Sequence, residues 1–264
     1  MAWAVVVMAR SSFVARNNKP IQRSVKTVQG PCCMVGSKEI EMTFKLWGRP
    51  TSARTEKVML ALAELGIEHE YILSSATMGP DGSVAKGGKP FGVVDTPEYR
   101  AMNPNGTVPT IDDNGYVLWE SNAIVQYLGM KYDPELFFGN DTETYASAAR
   151  WLMWENNQLI PPMHDLVMHL VRLPEDKREP AEAEKARQKL IKEFTIVDEQ
   201  LGKTEYIAAD RWTMGDIPIT IRCHRWHLFD IERPDMPNLA RYYDAVKARP
   251  SFEAIADPAM HVEG

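Results

Sequence analysis

The chain has 264 residues and an apolar share of 44%, enough to bury the core of one large domain or two ordinary ones. The formal charge is −6, and the first 41 residues carry +4, so subtracting +4 from −6 leaves −10 for the rest. This acidic balance argues against nucleic acid as a partner of the folded part. The apolar run Trp3 to Met8 is too short to span a membrane, so we expect no membrane partner either.

Residues 1–41 differ from the remainder because they contain no acidic residue before Glu39. A transit peptide has this composition, and so does a disordered tail. A third interpretation is upstream sequence joined to a true start at Met42, since the ordered pattern begins two residues later. The three alternatives stay open, and we predict a disordered, targeting or spurious extension.

The three cysteines, Cys32, Cys33 and Cys223, form neither a disulfide framework nor a Cys-x-x-Cys motif. Cys223 falls in a predicted helix, where we expect a buried small side chain. These features predict a reducing compartment. We therefore expect a cytoplasmic protein, with an organellar location as the alternative if residues 1–41 are a transit peptide.

The ordered pattern starts with a strand, a helix and a second strand. The strand Phe44–Trp47 and a turn precede a helix over Ala53–Leu65, which Gly66 is placed to end. A second strand is predicted from about Glu68 to Leu73. The polar stretch Met78–Val93 is predicted to be a surface loop that borders a site, and a short helix follows near Pro97–Met102.

A hairpin and a helix start come next. Thr107–Ile111 reads as extended chain, Asp112–Gly115 as a tight turn and Tyr116–Trp119 as the returning strand. Ser121 fits a helix N-cap. The free amides of this helix start and the Glu120 carboxylate suit the carboxylate and ammonium of an α-amino acid, so the pattern predicts an amino-acid or peptide headgroup site.

Strand signals almost vanish after Asp133-Pro134, which we interpret as a linker. The segment Thr144–Leu159 is helical until Pro161-Pro162 interrupts it. Further helices are predicted over Ala181–Leu201, after the capping sequence Thr213–Asp216, and over Asn238 to about Ala248.

Met42–Phe252 resembles the glutathione transferase superfamily. The motifs behind this resemblance, in chain order, are Gly48-Arg49-Pro50-Thr51-Ser52, Asn103–Pro109, Glu120–Ile124, Thr213–Pro218 and Arg249–Phe252. The resemblance implies an α/β plus all-α protein. A thioredoxin-like domain would occupy residues 42–132, and an all-helical domain with the second-substrate site residues 141–255, before a tail over 256–264.

The resemblance also implies where glutathione binds. Pro109 would be a cis-proline and Val108 would present its backbone to the cysteinyl part, while Glu120 and Ser121 would hold the γ-glutamyl end. Thr107 stands where relatives often have Gln or Lys. In the long loop, Lys86 and Lys89 would reach the glycyl carboxylate or would only be solvated.

The activating residue of the superfamily follows the first strand, and Ser52 best matches its serine-type pattern, with Thr51 as the neighbouring candidate. A hydroxyl donor at a helix start would lower the pKa of the glutathione thiol from about 8.5. The competing interpretation is that either residue only caps the helix. Arg54 stands where some bacterial relatives have Asn, and its cation would stabilise a thiolate, bind an acidic substrate or face solvent.

Three tryptophans, Trp151, Trp154 and Trp226, are candidates for an apolar second-substrate pocket or for the core.

The pair His224-x-x-His227 is not part of a His-Glu-x-x-His motif, so we expect no metal.

We predict a glutathione transferase that ionises glutathione, as substrate, for attack on an apolar electrophile or on a disulfide or peroxide, and that forms a homodimer. The alternatives are a noncatalytic binding or dimerisation module and a glutathione-dependent lyase or dehalogenase.

Overall fold

The computed structural model describes residues 44–49, 51–74, 85–86, 89–90 and 93–257. The interpretations of residues 1–41 and most of the predicted tail lie outside these residues. In the described part, no helix has the length and apolar composition needed to cross a membrane.

The described residues of the first half of the chain form six strands. They are β1 (Phe44–Gly48), β2 (Glu70–Leu73), β3 (Ala85–Lys86), β4 (Lys89–Pro90), β5 (Thr110–Asp113) and β6 (Tyr116–Trp119). A mixed sheet has the order β2-β1-β5-β6, in which β1 and β2 are parallel and the other neighbours antiparallel. The short strands β3 and β4 pair with each other inside the predicted loop.

Within the described ranges, three helices accompany this sheet: α1 (Ala53–Leu65), α2 (Pro97–Met102) and α3 (Ser121–Tyr132). Helix α1 ends at Gly66, whose φ of 63° suits a residue without a side chain. Its residues Val58 and Leu62 are fully buried with the strand residues Leu46 and Ile111. The predicted bounds of α1 and α2 are confirmed.

The β5–β6 hairpin turns at two residues. Asn114 and Gly115 have φ values of 54° and 92°, the positive values that a type I′ turn requires. The predicted turn is therefore too long by two residues, because Asp112 and Asp113 pair with β6 as part of β5. Before the hairpin, the Val108–Pro109 peptide bond is cis, as the resemblance implied.

The second half of the described chain is helical. Its helices are α4 (Pro134–Phe138), α5 (Thr142–Trp154), α6 (Ile160–Val167), α7 (Pro180–Leu201), α8 (Asp216–Leu228) and α9 (Pro237–Lys247). Two π-helical turns, Glu155–Leu159 and Met168–Arg172, follow α5 and α6. The predicted thioredoxin-like half followed by a helical half is confirmed.

Two predictions at helix boundaries are wrong. Asp133-Pro134 is not a linker, because the Asp133 carboxylate accepts a hydrogen bond from the amide of Leu136 (2.9 Å) and caps α4. Pro161-Pro162 does not end the helix either. A π turn joins α5 to α6, and the prolines then fall in the first turn of α6, where a missing N–H costs little.

Candidate active site

The loop between β1 and α1 supplies two buried hydroxyl groups. Ser52 is the N-cap of α1, and its Oγ accepts a hydrogen bond from the amide of Thr55 (3.3 Å). A hydroxyl has one proton and two lone pairs, so this cap leaves the Ser52 proton able to donate to another group. The Oγ1 atom of Thr51 is buried and has no hydrogen-bond partner among the described residues. Both hydroxyls are thus available to a bound molecule.

The cis-proline loop lies beside these hydroxyls. The carbonyl of Thr107 accepts hydrogen bonds from the Tyr99 hydroxyl (2.7 Å) and from the Asn103 side chain (2.8 Å). These two bonds hold the loop in place. Val108 is buried and, like Thr107, lines the same cavity as Ser52. The cavity therefore brings the predicted thiol-binding residues together with two of the predicted peptide-binding residues, Thr107 and Val108.

Glu120 and Ser121 lie at the start of α3, outside the cavity lining. The prediction that Ser121 is the N-cap is wrong, because Glu120 occupies that position with φ 74° and ψ 108° and Ser121 is the first helical residue. A non-glycine residue costs about 1–3 kcal/mol in such a conformation and is typical of functional sites. The Glu120 side chain is exposed and makes no capping hydrogen bond, while Ser121 is buried.

The cavity has a volume of about 270 Å³ and lies between the β1–α1 loop and the helical half. Helix α6 and the π turn after it contribute Ile160, Met163, His164, Val167 and Arg172, and α8 contributes Arg222 and Arg225. With Arg49 from the β1–α1 loop and Arg54 from the first turn of α1, five arginines are among the described lining residues of the cavity, and no acidic residue is.

Two buried carboxylates hold the α8 arginines in place. Glu56 of α1 binds Arg225 through both of its oxygens. Glu155 binds Arg222 (Nε to Oε1, 2.6 Å) and Lys57 of α1 (Nζ to Oε2, 2.6 Å). Burial opposes the charge of Glu155, but attraction to these two cations outweighs it and lowers the pKa of this carboxyl. Burial lowers the pKa of Lys57 to about 8.

The remaining cavity arginines are crowded by like charges. Burial, with repulsion from Arg225 and Arg54, lowers the pKa of Arg49 to about 10. Partial burial, with repulsion from Arg225 and Arg49, lowers the pKa of Arg172 to about 9. Both values lie above neutral pH, so both guanidinium groups stay charged. Arg54 is exposed and forms no hydrogen bond or ion pair within the described part of the chain.

The three tryptophans lie elsewhere. Trp151 and Trp226 are buried in the core, and Trp226 packs against Phe194 with ring centroids 5.2 Å apart. Trp154 is half-buried against Trp151. None of them is among the described lining residues of the cavity. Lys89 belongs to β4, and its side chain is outside the description.

Sequence reasoning missed the arginines of the helical half. Arg222 and Arg225 are three residues apart in the apolar segment Ile217–Trp226, a signal of charged groups buried on one helix face. Buried arginines need partners, so this spacing predicts ion pairs. Arg172 offers no comparable local signal.

The described residues contain no cluster of three or more His, Cys, Asp or Glu side chains suited to a metal ion. His227 has its Nδ1 2.7 Å from the carbonyl of Cys223. His224 contacts the Tyr243 hydroxyl (2.8 Å) and the Ala256 carbonyl (3.2 Å). Cys223 is buried, as predicted.

In the thioredoxin-like half, a cis-proline loop lies beside a helix start that carries two hydroxyl groups, and the helical half borders the same cavity. This arrangement defines a class of proteins that join a thioredoxin-like domain to a helical domain. Residues 51–130 match the family described as "Glutathione S-transferase, N-terminal domain", and residues 159–250 match "Glutathione S-transferase, C-terminal domain". The chain is 31% identical over 212 residues to glutathione S-transferase GstB of Escherichia coli, covering 80% of this chain and 96% of that protein. The chain belongs to the glutathione S-transferase family.

Other relatives agree. Glutathione S-transferase 4 of Zea mays is 29% identical over 80% of this chain and 91% of its own. The theta class glutathione S-transferase of Xanthomonas axonopodis pv. citri, solved with glutathione bound, is 32% identical with a TM-score of 0.74, over 83% of this chain and 99% of its own. The resemblance to the glutathione transferase superfamily is confirmed. The protein is a glutathione transferase by activity class.

Proposed function

We propose that the protein binds glutathione along the Val108–Pro109 segment and stabilises its thiolate for attack on an electrophilic small molecule. The observation that supports this most directly is the shared cavity, in which Thr51, Ser52 and Val108 form one wall. An extended peptide beside Val108 would bring its thiol to the hydroxyls at the start of α1.

Either hydroxyl suits the thiolate. Ser52 caps α1 with a lone pair and keeps its proton, so capping and thiol contact are compatible. The buried Oγ1 of Thr51 has no hydrogen-bond partner among the described residues, and a buried polar group without a hydrogen bond costs about 1–3 kcal/mol. A ligand acceptor beside Thr51 would remove this cost. Arg54 and the other cavity arginines add positive potential, which also favours the ionised thiol.

The γ-glutamyl end of glutathione is assigned to the start of α3. The amides of a helix N-terminus suit its carboxylate, and the exposed Glu120 carboxylate suits its ammonium. The positive φ of Glu120 supports a functional role at this position. Lys89 remains a candidate for the glycyl carboxylate.

A thiolate titration tests the catalytic assignment. Ultraviolet absorbance of protein-bound glutathione is followed against pH for the wild type, Ser52→Ala and Thr51→Val. A hydrogen bond to an ionised group corresponds to about 1.5–3 kcal/mol, so the variant that removes the donor should raise the thiol pKa by about one to two units. If neither variant raises it, the assignment of both hydroxyls is wrong.

Thr96→Ala is the matched control. The Thr96 hydroxyl caps α2 by accepting a hydrogen bond from the Tyr99 amide (3.2 Å), outside the cavity. The Thr96→Ala variant loses a helix cap, as the Ser52→Ala variant does, and each change should cost about 1 kcal/mol of stability. Only Ser52→Ala should change the pKa of the glutathione thiol. Absence of glutathione binding at millimolar concentration would favour the noncatalytic module.

Domain bounds of 42–132 and 141–255, a homodimer and a cytoplasmic location complete the proposal. The buried thiol of Cys223 fits a reducing compartment. Light scattering after size-exclusion chromatography should give twice the chain mass, and cell fractionation checks the location.

A further inference from the structure

Arg222 of α8 carries hydrogen-bond donors that the described residues do not use. A guanidinium group has five N–H donors, and the Nε of Arg222 donates to Oε1 of Glu155 (2.6 Å). Neither of its Nη atoms forms a hydrogen bond with the described residues. The side chain is only 6% exposed, yet neither Nη is among the fully buried polar atoms that lack a partner, so both keep some accessible surface. Because Arg222 lines the cavity, these donors are open to a molecule bound there.

Two other arginines of the cavity use their terminal nitrogens within the protein. Arg225 donates from Nε and Nη2 to Glu56, and from Nη2 to the carbonyl oxygen of Thr51 (3.4 Å). Arg172 donates from its own Nη2 to the same carbonyl oxygen (2.8 Å). These two side chains therefore hold the β1–α1 loop in place, whereas Arg222 presents both of its terminal nitrogens to a ligand.

Glu155 fixes the orientation of the Arg222 guanidinium group. The buried carboxylate of Glu155 holds Arg222 through one oxygen and Lys57 of α1 through the other (Nζ to Oε2, 2.6 Å). Lys57 in turn donates to the Asn122 side chain (3.1 Å). A donor that is held in this way needs little reorganisation when negative charge develops beside it, which is the condition for electrostatic catalysis.

The cavity combines this donor group with the thiol site and an apolar surface. Arg222 and Ser52 come from different halves of the protein and line the same cavity of about 270 Å³. Ile160, Met163 and Val167 line it from α6, at the spacing of successive helical turns. An electrophile that suits this lining has an apolar body for α6, a reacting carbon near the thiol and a hydrogen-bond acceptor for Arg222, because arginine offers donors only.

We propose that Arg222 is a catalytic residue that donates hydrogen bonds to the carbonyl oxygen of an electrophile in which a carbonyl group is conjugated with a carbon–carbon double bond. This deepens the proposed function and rests on it, because the attacking thiolate is that of glutathione. The sulfur forms a bond to the β-carbon, and the π electrons of the double bond move to give an enolate, whose negative charge lies on the oxygen beside Arg222. The α-carbon then takes a proton from solvent, which replaces the proton that the thiol lost on ionisation.

The same arrangement favours this class of electrophile over alkyl halides. When a thiolate displaces a halide from an alkyl carbon, the charge leaves with the halide and no oxygen becomes more negative. In the conjugate addition, the carbonyl oxygen gains charge as the sulfur–carbon bond forms. The donors of Arg222 therefore bind the transition state of the addition more tightly than its substrate, which raises kcat.

Two phenyl compounds test this preference with the full chain. Benzylideneacetone is the conjugated ketone, and benzyl chloride is the halide, from which chloride leaves with the bonding electrons. Each catalysed rate is divided by the uncatalysed rate of the same compound with glutathione at the same pH. The wild type should accelerate the addition to the ketone at least about tenfold more than the displacement of chloride. An equal or smaller acceleration of the ketone reaction would overturn the proposal.

Arg222→Lys removes the guanidinium donors and keeps the charge. Its ammonium group retains a cation for Glu155, so the buried ion pair and the fold are preserved, but the planar fork is lost. For benzylideneacetone, kcat should fall about 10- to 100-fold with KM nearly unchanged, because the hydrogen bonds strengthen only in the transition state. The rate with benzyl chloride should stay at the wild-type value. Equal losses for both substrates would mean a structural role and would overturn the proposal.

Arg249→Lys is the matched control. Arg249 also pairs with a carboxylate of α1, through Nε to Oε1 (2.7 Å) and Nη2 to Oε2 (2.6 Å) of Glu64, but it is not among the described lining residues of the cavity. This control loses the same kind of planar fork and should keep the full preference for the ketone. A loss as large as that of Arg222→Lys would show that the preference depends on packing between the halves, which contradicts the proposal.

An unreactive ketone reports the contact directly. Benzylacetone has no conjugated double bond and therefore does not add glutathione. Its carbonyl stretching frequency, measured by isotope-edited infrared spectroscopy with the glutathione-saturated protein, should be lower in the wild type than in Arg222→Lys. Identical frequencies in the two proteins would mean that Arg222 does not contact the carbonyl oxygen, and the proposal would be wrong.

Benzyl chloride separates this inference from the proposed function. If the wild type ionises glutathione and conjugates benzyl chloride without accelerating the addition to benzylideneacetone, the inference fails and the proposed function stands. If glutathione is neither bound nor ionised, the proposed function fails, and the inference fails with it.

Discussion

The two walls of the cavity are built in different ways. On the thioredoxin-like side, Ser52 and Val108 are placed by local backbone structure: a helix cap and a cis-proline loop. On the helical side, Arg222 and Arg225 are placed by buried ion pairs with Glu155 and Glu56. One wall depends on short-range geometry, and the other depends on charges brought together by tertiary packing.

Helix α1 links the two walls. Three of its residues form ion pairs with the helical half: Glu56 with Arg225, Lys57 with Glu155, and Glu64 with Arg249 (Oε2 to Nη2, 2.6 Å). A buried ion pair adds little net stability over apolar packing, but loss of one partner is costly. Deletion of one charge from these buried pairs should therefore cost far more stability than deletion of a charge on the surface.

The largest effect is expected for Glu155→Gln. This change leaves Lys57 and Arg222 as two buried cations without their shared carboxylate, which should lower the free energy of unfolding by about 3–5 kcal/mol. Urea unfolding at neutral pH measures it. Glu184→Gln is the control, because Glu184 pairs with Arg187 on the surface of α7, and its unfolding midpoint should not change measurably. Equal midpoints for both variants would contradict the comparison.

The same difference explains what the sequence could predict. The cap at Ser52, the stop at Gly66 and the Asn114-Gly115 turn are local signals, so α1 and the hairpin were predictable from a few adjacent residues. Arg172 and Arg225 stand 121 and 174 residues from Thr51 along the chain, and only the packed structure brings them together. The positions of the three tryptophans were not predictable either, because helical spacing alone cannot separate a core face from a pocket face.

A smaller loss is expected for Asp216→Asn, which tests how α8 is anchored. The buried carboxylate accepts hydrogen bonds from the amides of Ile207 and Thr213 (both 2.9 Å) and from the Thr213 hydroxyl (3.0 Å). The side-chain NH2 group of the introduced asparagine would face one of these N–H or O–H donors and could not accept its hydrogen bond. The free energy of unfolding should therefore fall by about 1–3 kcal/mol. Burial raises the pKa of Asp216 to about 6. Urea unfolding is therefore measured at pH 7.5, where the wild-type carboxyl group is ionised.

Asp141→Asn is the matched control for this variant. The exposed Asp141 accepts a hydrogen bond from the Thr144 amide (2.7 Å) as the N-cap of α5, and Asn caps helices as well as Asp does. Its unfolding midpoint should stay close to the wild-type value. If Asp216→Asn behaves like this control, the start of α8 does not depend on the buried carboxylate.

The smallest effect concerns His164 on the helical wall. Partial desolvation, with repulsion from Arg172 and Arg54, lowers the pKa of His164 below its usual 6.5, and Asp165 opposes this shift. Because the unfolded chain takes up the proton more readily, this group's contribution to stability is present above pH 6.5 and is lost as the pH falls through the folded pKa. An NMR titration of the imidazole should show a lower midpoint in native than in urea-denatured protein. Arg172→Gln should raise the native midpoint and Asp165→Asn should lower it further; shifts of the opposite sign would mean that the cavity arginines do not set the potential at this wall.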